Sequence, residues 1–472
     1  MSAKITLNEE QEQAFKAIKK FLEHPAANTF ILKGYAGTGK TFLMQHLGKW
    51  LEENNLSFRM LATTGRAATV LRGKTGFTTK TVHSEVYNFS KVEGIDGPDY
   101  KAVKPVDRNI NQMLLQFLTR PPDNEDLKVV YIVDEASMLS GHQSADNKFA
   151  TYGSGVLLDD LFEVAGNNKV IFVGDPCQLP PVRQSISPAL DVNWLAQQQR
   201  VAISFSLQKI ERTDAGNDIL KLATAVREMS MKPQLDKLKL PAAGLSNVNL
   251  YPSDKELFRE YLQRYRTKGT DHTLAIARSN KMVQYINRAV RRELYGSSKK
   301  PLQEGDVLLV TQNNYFVPLT NGDMVKVIYL GEFRTSIGYR FQEAIVKAFA
   351  TGNEYKVMLS LDSMDHAGTD LNDKMQNELL AGFNIRMRDD KIKPNGEVYR
   401  KRMREDQFLN SLRVNYGYAV TCHKAQGGEW DDVFLFLEHN MYSMKHPELC
   451  KWWYTSITRA RKELNLVERW CE

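Results

Sequence analysis

Short apolar runs alternate with amphipathic stretches along the N-terminal part of the chain. The apolar runs predict strands at 29–33, 58–63, 129–134 and 169–174, with helical stretches between most of them. Residues 7–23 form an amphipathic helical pattern, with Asn8 as an N-cap ahead of two glutamates. Alternating strands and helices are typical of a parallel α/β sheet.

The same alternation resumes near residue 200 and predicts a second α/β block. Its markers are a strand at Thr273–Ala277 and a helix over 281–294. Residues 84–127 interrupt the first block and residues 311–410 interrupt the second. Both stretches are therefore predicted to be insertions.

Composition and length indicate a soluble globular protein of several domains. The 472 residues exceed one ordinary core, and 42% hydrophobic with 25% charged residues is an ordinary balance. No apolar run approaches the ~20 residues that span a bilayer, and the N-terminus leads into a polar helical pattern rather than a secretory signal. Four cysteines are scattered without metal-ligand spacing, and two of them, Cys177 and Cys422, lie inside sequence motifs, which favours reduced thiols and a cytoplasmic location. The net charge of +7 permits a polyanionic partner without requiring one.

The segment Gly34–Thr41 has the pattern G-x-x-x-x-G-K-T between a predicted strand and a predicted helix, the context that a phosphate-binding loop requires. Glycines let backbone N–H groups converge on phosphate oxygens beside the positive end of the helix dipole. Lys40 is predicted to reach the β- and γ-phosphates of ATP, and Thr41 to bind Mg²⁺ through its hydroxyl. The alternative is a glycine-rich turn with a chance lysine. The predicted nucleotide contacts in this loop are Gly34, Gly37, Thr38, Gly39, Lys40 and Thr41.

Two more loops follow predicted strands at the carboxyl edge of the sheet, where parallel sheets bind ligands. Asp134 is predicted to hold Mg²⁺ and Glu135 to polarise the attacking water. In the loop Gly174–Pro181, the amide of Gln178 can donate to a γ-phosphate oxygen. The residues alone also allow a capping or solvated acidic pair, and a proline-rich turn held by Asp175.

In this order the segments resemble the motifs of superfamily 1 DNA helicases, and within them the 5′→3′ branch of RecD-like and phage Dda-like enzymes. The resemblance runs along nearly the whole chain, with one departure at Thr63, where RecD-like enzymes usually carry proline. The matching segments are Leu7–Gln11 (Q motif), Gly34–Thr41 (motif I), Ala62–Ala68 (motif Ia), Thr81–Ser84, Asp134–Met138 (motif II), Gly174–Pro181 (motif III), Leu207–Arg212 (motif IV), Tyr418–Gly427 (motif V) and Tyr454–Arg461 (motif VI).

The resemblance implies an α/β fold of two RecA-like P-loop NTPase domains in tandem. The first core domain would comprise residues 1–200, with an inserted pin or wedge at 84–127 that splits duplex. The second would comprise residues 201–310 and 411–472, with an SH3-like β domain inserted at 311–410. ATP would then lie in the cleft between the two core domains.

Roles for residues outside the phosphate loop follow from the same resemblance. Gln11 would recognise adenine, and Gly427 would contact the nucleotide. Arg212 and Arg459 match the arginines that place positive charge on the γ-phosphate, although most arginines are surface charges. The expected catalytic set is Lys40, Asp134, Glu135, Gln178, Arg212 and Arg459.

DNA contacts are also implied by the resemblance, because hydroxyls, backbone amides and imidazoles suit phosphates and aromatic rings suit stacking. The expected contacts are Thr64, Gly65, His83, Tyr87, Phe89, Pro181, Thr421 and His423. Alternatively, His83 and His423 are satisfied interior histidines, and Tyr87 and Phe89 anchor a hairpin to the core.

The insertion at 311–410 is entered at the turn signal Asn321–Asp323 and ends in a densely basic stretch from Arg386 to Arg404. Such a stretch is usually a solvated face or a mobile loop. It could equally follow a DNA phosphate backbone, in which case binding would be sensitive to salt.

Together these features predict a motor that uses ATP and Mg²⁺ to move along single-stranded DNA and separate duplex at junctions. It would act as a monomer in the cytoplasm of a bacterial or phage-infected cell, near the nucleoid, with replication or recombination proteins as partners and no membrane. Its 5′→3′ polarity rests on the resemblance alone. The alternatives are a helicase subunit of a helicase–nuclease assembly and a regulatory P-loop ATPase that unwinds nothing. RNA is an alternative track.

Overall fold

A computed structural model describes residues 6–93, 114–123, 128–143, 150–210, 218–232, 239–314, 317–365 and 369–471. The strands are β1 (Thr29–Gly34), β2 (Phe58–Ala62), β3 (Thr79–Thr81), β4 (Tyr87–Glu93), β5 (Leu114–Thr119), β6 (Val130–Asp134), β7 (Ala150–Tyr152), β8 (Lys169–Gly174), β9 (Ala202–Leu207), β10 (Val248–Tyr251), β11 (Thr273–Ala277), β12 (Val307–Val310), β13 (Met324–Ser336), β14 (Tyr339–Ala348), β15 (Glu354–Ser360), β16 (Val414–Tyr416), β17 (Ala419–Thr421), β18 (Trp430–Phe436) and β19 (Ala460–Val467). The helices are α1 (Glu9–Glu23), α2 (Lys40–Glu53), α3 (Gly65–Thr75), α4 (Val82–Val86), α5 (Leu157–Ala165), α6 (Val192–Gln197), α7 (Ile219–Met231), α8 (Asp254–Lys268), α9 (Asn280–Tyr295), α10 (Leu361–Asp365), α11 (Thr369–Asp389), α12 (Glu397–Glu405), α13 (Cys422–Ala425) and α14 (His446–Ile457).

The first unit is built on a parallel sheet with the strand order β3-β2-β6-β8-β1-β9. The four strands predicted in this part of the chain are confirmed as β1, β2, β6 and β8. Helix α1 is confirmed too: the Asn8 side chain accepts from Gln11 N (2.8 Å), and the Gln11 side chain accepts from Asn8 N (3.0 Å). This reciprocal cap fixes the start of α1 beside the sheet.

Strand β9 corrects the expected domain boundary at residue 200. It pairs in parallel with β1 from Thr29↔Ala202 to Gly34↔Leu207 and forms an edge of the first sheet. The prediction that the second block starts at residue 201 is therefore wrong. Its alternating apolar pattern suits an edge strand covered on one face, and the sequence carries no break before it.

The second unit has a parallel sheet in the order β10-β19-β18-β11-β17. The predicted strand at Thr273–Ala277 is confirmed as β11, and the predicted helix over 281–294 is confirmed as α9. A large apolar core formed mainly by this unit contains three fully buried tryptophans, Trp430, Trp453 and Trp470.

An antiparallel sheet in the order β15-β14-β13-β12-β16 interrupts the second unit. It begins at Val307 and closes with β16, so it extends beyond both expected limits, 311 and 410. The turn predicted at Asn321–Asp323 is confirmed: Gly322 has φ +95° and Asp323 N donates to Thr320 O (3.0 Å).

The interruption of the first unit contains an antiparallel pair, β4 and β5, with β7 alongside β5. The part of the expected pin at 94–113 and 124–127 lies outside the described residues. Asn395, between α11 and α12, holds the hairpin through Val92: Val92 N donates to its Oδ1 (2.9 Å) and its Nδ2 donates to Val92 O (3.2 Å). The two inserted elements therefore touch, and they share one apolar core with the first sheet.

The predicted basic stretch occupies the end of α11, the loop after it and α12, and its eight cations are exposed. Ion pairs join Arg386 to Asp406 and Arg402 to Asp390. Across the described ranges, no helix is both long and apolar enough to cross a membrane.

Candidate nucleotide site and strand interface

The phosphate loop connects the end of β1 to the start of α2. Gly37 and Gly39 have φ of +82° and +78°, which favour glycine, and a Cβ on Gly39 would lie 2.3 Å from Gln11 Nε2. The Lys40 ammonium donates to Gly34 O (2.6 Å) and Tyr35 O (3.1 Å). The loop therefore has the compact, glycine-dependent shape of an anion-binding site, and its own carbonyl groups hold the Lys40 ammonium beside it.

Gln11 supports this loop from beneath. Its buried side chain donates from Nε2 to Thr38 O (3.1 Å), while its Oε1 is used in the cap of α1. Recognition of adenine by Gln11 stays a prediction. The structure adds a contact that the motif pattern alone did not indicate, because Gln11 and Thr38 are 27 residues apart in sequence.

Asp134 and Glu135 lie at the carboxyl end of β6, as predicted. Glu135 has φ +52°, a strained conformation for a residue with a side chain, and such strain is often found at functional sites. Burial and the Glu135 carboxylate raise the pKa of Asp134, whereas Lys40 lowers it. The carboxylates and the phosphate-loop lysine thus lie within electrostatic range of one another.

The residues present fit a Mg²⁺–nucleotide. Thr41 in the first turn of α2 and Asp134 would offer the hydroxyl and carboxylate oxygens that Mg²⁺ prefers, and Mg²⁺ normally takes few protein ligands alongside phosphates and water. At Gly34 a Cβ would lie 2.8 Å from Thr38 Oγ1, so a larger residue would close the cradle.

The loop after β8 places a buried carboxylate and a buried amide beside this cradle. Asp175 accepts from Cys177 N (2.9 Å), and burial raises its pKa while Lys40 lowers it. Gln178 is 4% exposed, and its Oε1 has no hydrogen-bond partner among the described residues. An unpaired buried amide oxygen is costly. Because this oxygen can only accept a hydrogen bond, it does not test the donation from Gln178 to a γ-phosphate oxygen, which stays a prediction. Pro181, expected to contact DNA, is buried.

Hydrogen bonds join the first and second units beside the phosphate loop and the loop after β8. Tyr454 Oη accepts from Ala36 N (2.9 Å) and donates to Asp175 Oδ2 (2.7 Å). Leu179 N donates to Thr455 Oγ1 (2.8 Å). Gln426 Nε2 donates to Leu179 O (3.3 Å). Helix α14 of the second unit therefore reaches both the phosphate loop and the loop after β8.

Arg459 lies just beyond α14 and is 5% exposed. Its guanidinium donates to Thr455 O (2.9 Å), Gly428 O (3.2 Å) and Thr458 Oγ1 (3.1 Å), all within the second unit. Its charge lowers the pKa of Asp175, so it lies within electrostatic range of the nucleotide loops. Arg212, the other expected arginine, lies outside the described residues.

The N-terminus of α3 forms a second contact region between the units. The Thr64 side chain caps α3 by accepting from Ala67 N (3.1 Å). A Cβ on Gly65 would lie 1.8 Å from Thr320 Oγ1, so the turn before β13 packs directly against this helix end. Both residues expected to contact DNA therefore border the junction of the first unit with the inserted sheet.

Gly427 lies against the same end of α3. It has φ +75°, and a Cβ on it would lie 2.8 Å from Ala67 Cβ and 3.4 Å from Thr64 Oγ1. The contact of Gly427 with the nucleotide stays a prediction, and the structure adds its close approach to α3. Its conformation and this close approach both require glycine.

Arg66, in the first turn of α3, is a further residue of this contact region that the motif pattern did not single out. Its guanidinium lies 4.0 Å from the Trp430 ring centroid, and burial lowers its pKa to about 10. Gly428 makes room for it, because a Cβ there would lie 2.5 Å from Arg66 Nε. In the sequence, the adjacent glycines Gly427 and Gly428 could have indicated that another segment lies close to the backbone here.

The remaining expected DNA contacts are divided between the surface and the interior. His83 on α4 is exposed, and its ring lies 5.9 Å from that of Tyr87. Thr421 ends β17 and is the N-cap residue of α13, and burial lowers the pKa of His423 within that helix. Contact of either histidine with DNA stays a prediction.

Tyr87 and Phe89 occupy the stem of the β4–β5 hairpin. Tyr87 is 9% exposed and donates to Asp160 Oδ2 (2.6 Å). Phe89 packs edge-on against Phe117, with ring centroids 5.6 Å apart. Both contacts fit the alternative in which these aromatic residues anchor the hairpin.

Comparison with known proteins connects this geometry to a family. Residues 6–240 match the family model described as an AAA domain, and residues 416–467 match that of the UvrD-like helicase C-terminal domain. The protein R530 of Acanthamoeba polyphaga mimivirus is 20% identical, over 98% of this chain and 99% of its own length. The ATP-dependent RecD2 DNA helicase of Deinococcus radiodurans is 24% identical over 91% of this chain, which spans 46% of that protein.

Among solved structures, Pif1 helicase from Bacteroides in complex with ADP-AlF3 and ssDNA has a TM-score of 0.49 at 16% identity, covering 98% of this chain and 92% of that one. The two family models match in the same order as the phosphate loop and the motif V and VI segments. The chain therefore carries an AAA domain followed by a UvrD-like helicase C-terminal domain, and it is similar to RecD-like helicases of superfamily 1.

Proposed function

We propose that the protein is an ATP-driven motor that moves along single-stranded DNA and separates duplex ahead of it. The observation that carries this proposal is the position of α14, whose Tyr454 bonds the phosphate loop and whose neighbour Thr455 bonds the loop after β8. Through these contacts, events at the nucleotide in the first unit would move the second unit. Alternating grip by two units is what translocation requires.

ATP bound with Mg²⁺ supplies the phosphoanhydride bond whose hydrolysis drives the cycle. The amides around Gly37 and the Lys40 ammonium would bind and orient the phosphates, and Thr41 with Asp134 would hold the metal. Glu135 orients the attacking water and accepts its proton. Arg459 places its positive charge at the γ-phosphate when it leaves its contacts within the second unit.

The DNA strand would run along the opposite side of the cleft. The helix starts at Thr64 and Thr421 offer hydroxyls and amides to the phosphates, with His83 and His423 beside them. Such contacts hold a strand without reading its sequence. The β4–β5 hairpin would separate the duplex, the antiparallel sheet would be the SH3-like insertion, and the 5′→3′ polarity follows the family resemblance.

ATPase turnover with and without single-stranded DNA tests the proposal. We expect DNA to stimulate turnover strongly and Lys40→Ala to abolish it, because the lysine that binds the phosphates is lost. Lys49→Ala is the matched control, since Lys49 is exposed on the same helix. ATPase turnover that is the same with and without single-stranded DNA would instead favour a regulatory ATPase.

Polarity requires a separate assay with 5′-tailed and 3′-tailed duplexes. We expect unwinding of the 5′-tailed substrate. Preferential unwinding of the 3′-tailed duplex would refute the assigned direction while leaving the motor function intact.

A further inference from the structure

The Tyr454 hydroxyl is shared between two loops of the first unit. It accepts from Ala36 N (2.9 Å) in the phosphate loop and donates to Asp175 Oδ2 (2.7 Å) in the loop after β8. The side chain is 2% exposed, so water does not substitute for either partner. Burial and Asp175 hold the pKa of Tyr454 well above its usual range, and the group stays a phenol that can donate.

Neighbouring contacts reinforce this connection. The Arg227 guanidinium of α7 lies 4.0 Å from the Tyr35 ring centroid, next to Ala36 in the same loop. Ala36 and Cys177 pack against the core of the second unit. Two successive phosphate-loop residues thus contact the second unit, one by its ring and one by its backbone.

Lys40 makes the phosphate loop sensitive to this link. Its ammonium bonds the carbonyl oxygens of Gly34 and Tyr35, the two residues that precede Ala36. A shift of Ala36 N would therefore also shift the carbonyl groups that hold the lysine. Hydrogen bonds of this kind fix position to within tenths of an ångström, which a catalytic loop requires.

We propose that Tyr454 is a positioning residue that couples the second unit to the phosphate loop. Its hydroxyl holds Ala36 and Asp175 in register with α14, so that movement of the second unit on DNA reaches the groups that bind phosphate. Tyr454 does not touch the reacting atoms in this role. The inference rests on the proposed motor function, because coupling has a purpose only where DNA controls turnover.

Tyr454→Phe in the full chain tests the coupling, since it removes the hydroxyl and keeps the ring in the core. We expect DNA-stimulated kcat to fall about tenfold, the effect of losing about 1.4 kcal/mol of positioning. KM for ATP should change far less, because the phosphate contacts themselves remain. A variant that only disturbed core packing would not be expected to lower kcat while leaving KM for ATP nearly unchanged.

Tyr261→Phe is the matched control. Tyr261 is a buried tyrosine of the second unit, and its hydroxyl donates to Tyr418 O within that unit. We expect this variant to keep its DNA stimulation. Equal losses in the two variants, or full stimulation in Tyr454→Phe, would overturn the inference.

A double variant with Asp175→Ala gives a second measurement. If the hydroxyl acts through Asp175, the two changes should be non-additive, and additive losses would contradict the shared contact. Absence of DNA stimulation in the unmodified protein would refute the motor function itself. A stimulated parent with an equally stimulated Tyr454→Phe variant would refute only the coupling.

Discussion

Two contact regions join the units by different interactions: the nucleotide side, where α14 meets the phosphate loop, and the strand side, where Gly427 and Trp430 meet α3. On the nucleotide side, directional hydrogen bonds reach backbone groups, as in Tyr454 to Ala36 N and Thr455 to Leu179 N. On the strand side, small residues approach closely at Gly427, and Arg66 lies on the Trp430 ring. The first kind of contact fixes distances and angles, whereas the second depends on close packing and allows more lateral shift.

This difference suggests a division of labour. In the proposed motor, the nucleotide side would reproduce one geometry at every turnover, because hydrolysis depends on aligned groups. The strand side would let DNA phosphates pass in succession. We therefore expect substitutions on the nucleotide side to affect kcat, and those on the strand side to affect DNA affinity.

The largest effect should follow from Arg459→Ala. Loss of an arginine finger typically costs about 10³-fold or more in turnover, while ATP binding should persist because the phosphate loop is intact. ATPase rates and a fluorescent-nucleotide binding assay measure the two quantities.

Arg292→Ala, on the exposed face of α9, is the control for loss of a cation. Because Arg459 is buried and hydrogen-bonded, Arg459→Lys should accompany it to preserve charge within the fold. Near-normal turnover in Arg459→Ala would contradict the two-unit site and remove the contrast between the two sides.

An intermediate effect should follow from Gly427→Ala on the strand side. The new Cβ would meet Ala67 Cβ at 2.8 Å in a backbone conformation unfavourable to alanine. Separation of α13 from α3 should weaken binding of single-stranded DNA about tenfold, an effect of about 1.4 kcal/mol. Fluorescence anisotropy with labelled single strands measures it.

Gly296→Ala supplies the matched control for that variant. Gly296 also has positive φ, +77°, but a Cβ on it would meet no atom of the described residues within 4 Å. It carries the backbone strain without the collision. Equal DNA affinity in Gly427→Ala and Gly296→Ala would mean that the close approach does not shape the strand interface.

The smallest effect should follow from Arg66→Met, which keeps much of the side-chain volume and removes the charge. Loss of the contact with Trp430 should cost about 1 kcal/mol, or roughly a fivefold weakening of DNA binding. KM for ATP should not follow it. A larger change in ATP hydrolysis than in DNA affinity would break the proposed division between the two sides.

Local patterns accounted for much of the fold. The strands β1, β2, β6, β8 and β11 and the cap of α1 follow from apolar runs and short-range hydrogen bonds, which the sequence displays directly. The positions of Lys40 and Asp134 follow from the strand ends. These features depend on residues that are close in sequence.

Contacts between distant segments could not be predicted in the same way. The sequence around Gly427 does not indicate that Ala67 lies against it. Likewise, the sequence around Tyr454 does not identify its partner Ala36, which is 418 residues earlier. The edge position of β9 likewise depends on β1, since its own pattern fits either unit. Motif resemblance assigned approximate roles, and packing decided which neighbours meet.

The pairing of β10 with β19 has a consequence for synthesis of the protein. The first sheet can form once β9 has emerged from the ribosome. Strand β10 can pair only after its partner β19, at residues 464–467, has been synthesised. At ordinary elongation rates this interval lasts on the order of tens of seconds. During it, the apolar faces of α8, α9 and β11 lack the central strands that later cover them. During synthesis the second parallel sheet therefore exposes apolar surface for longer than the first.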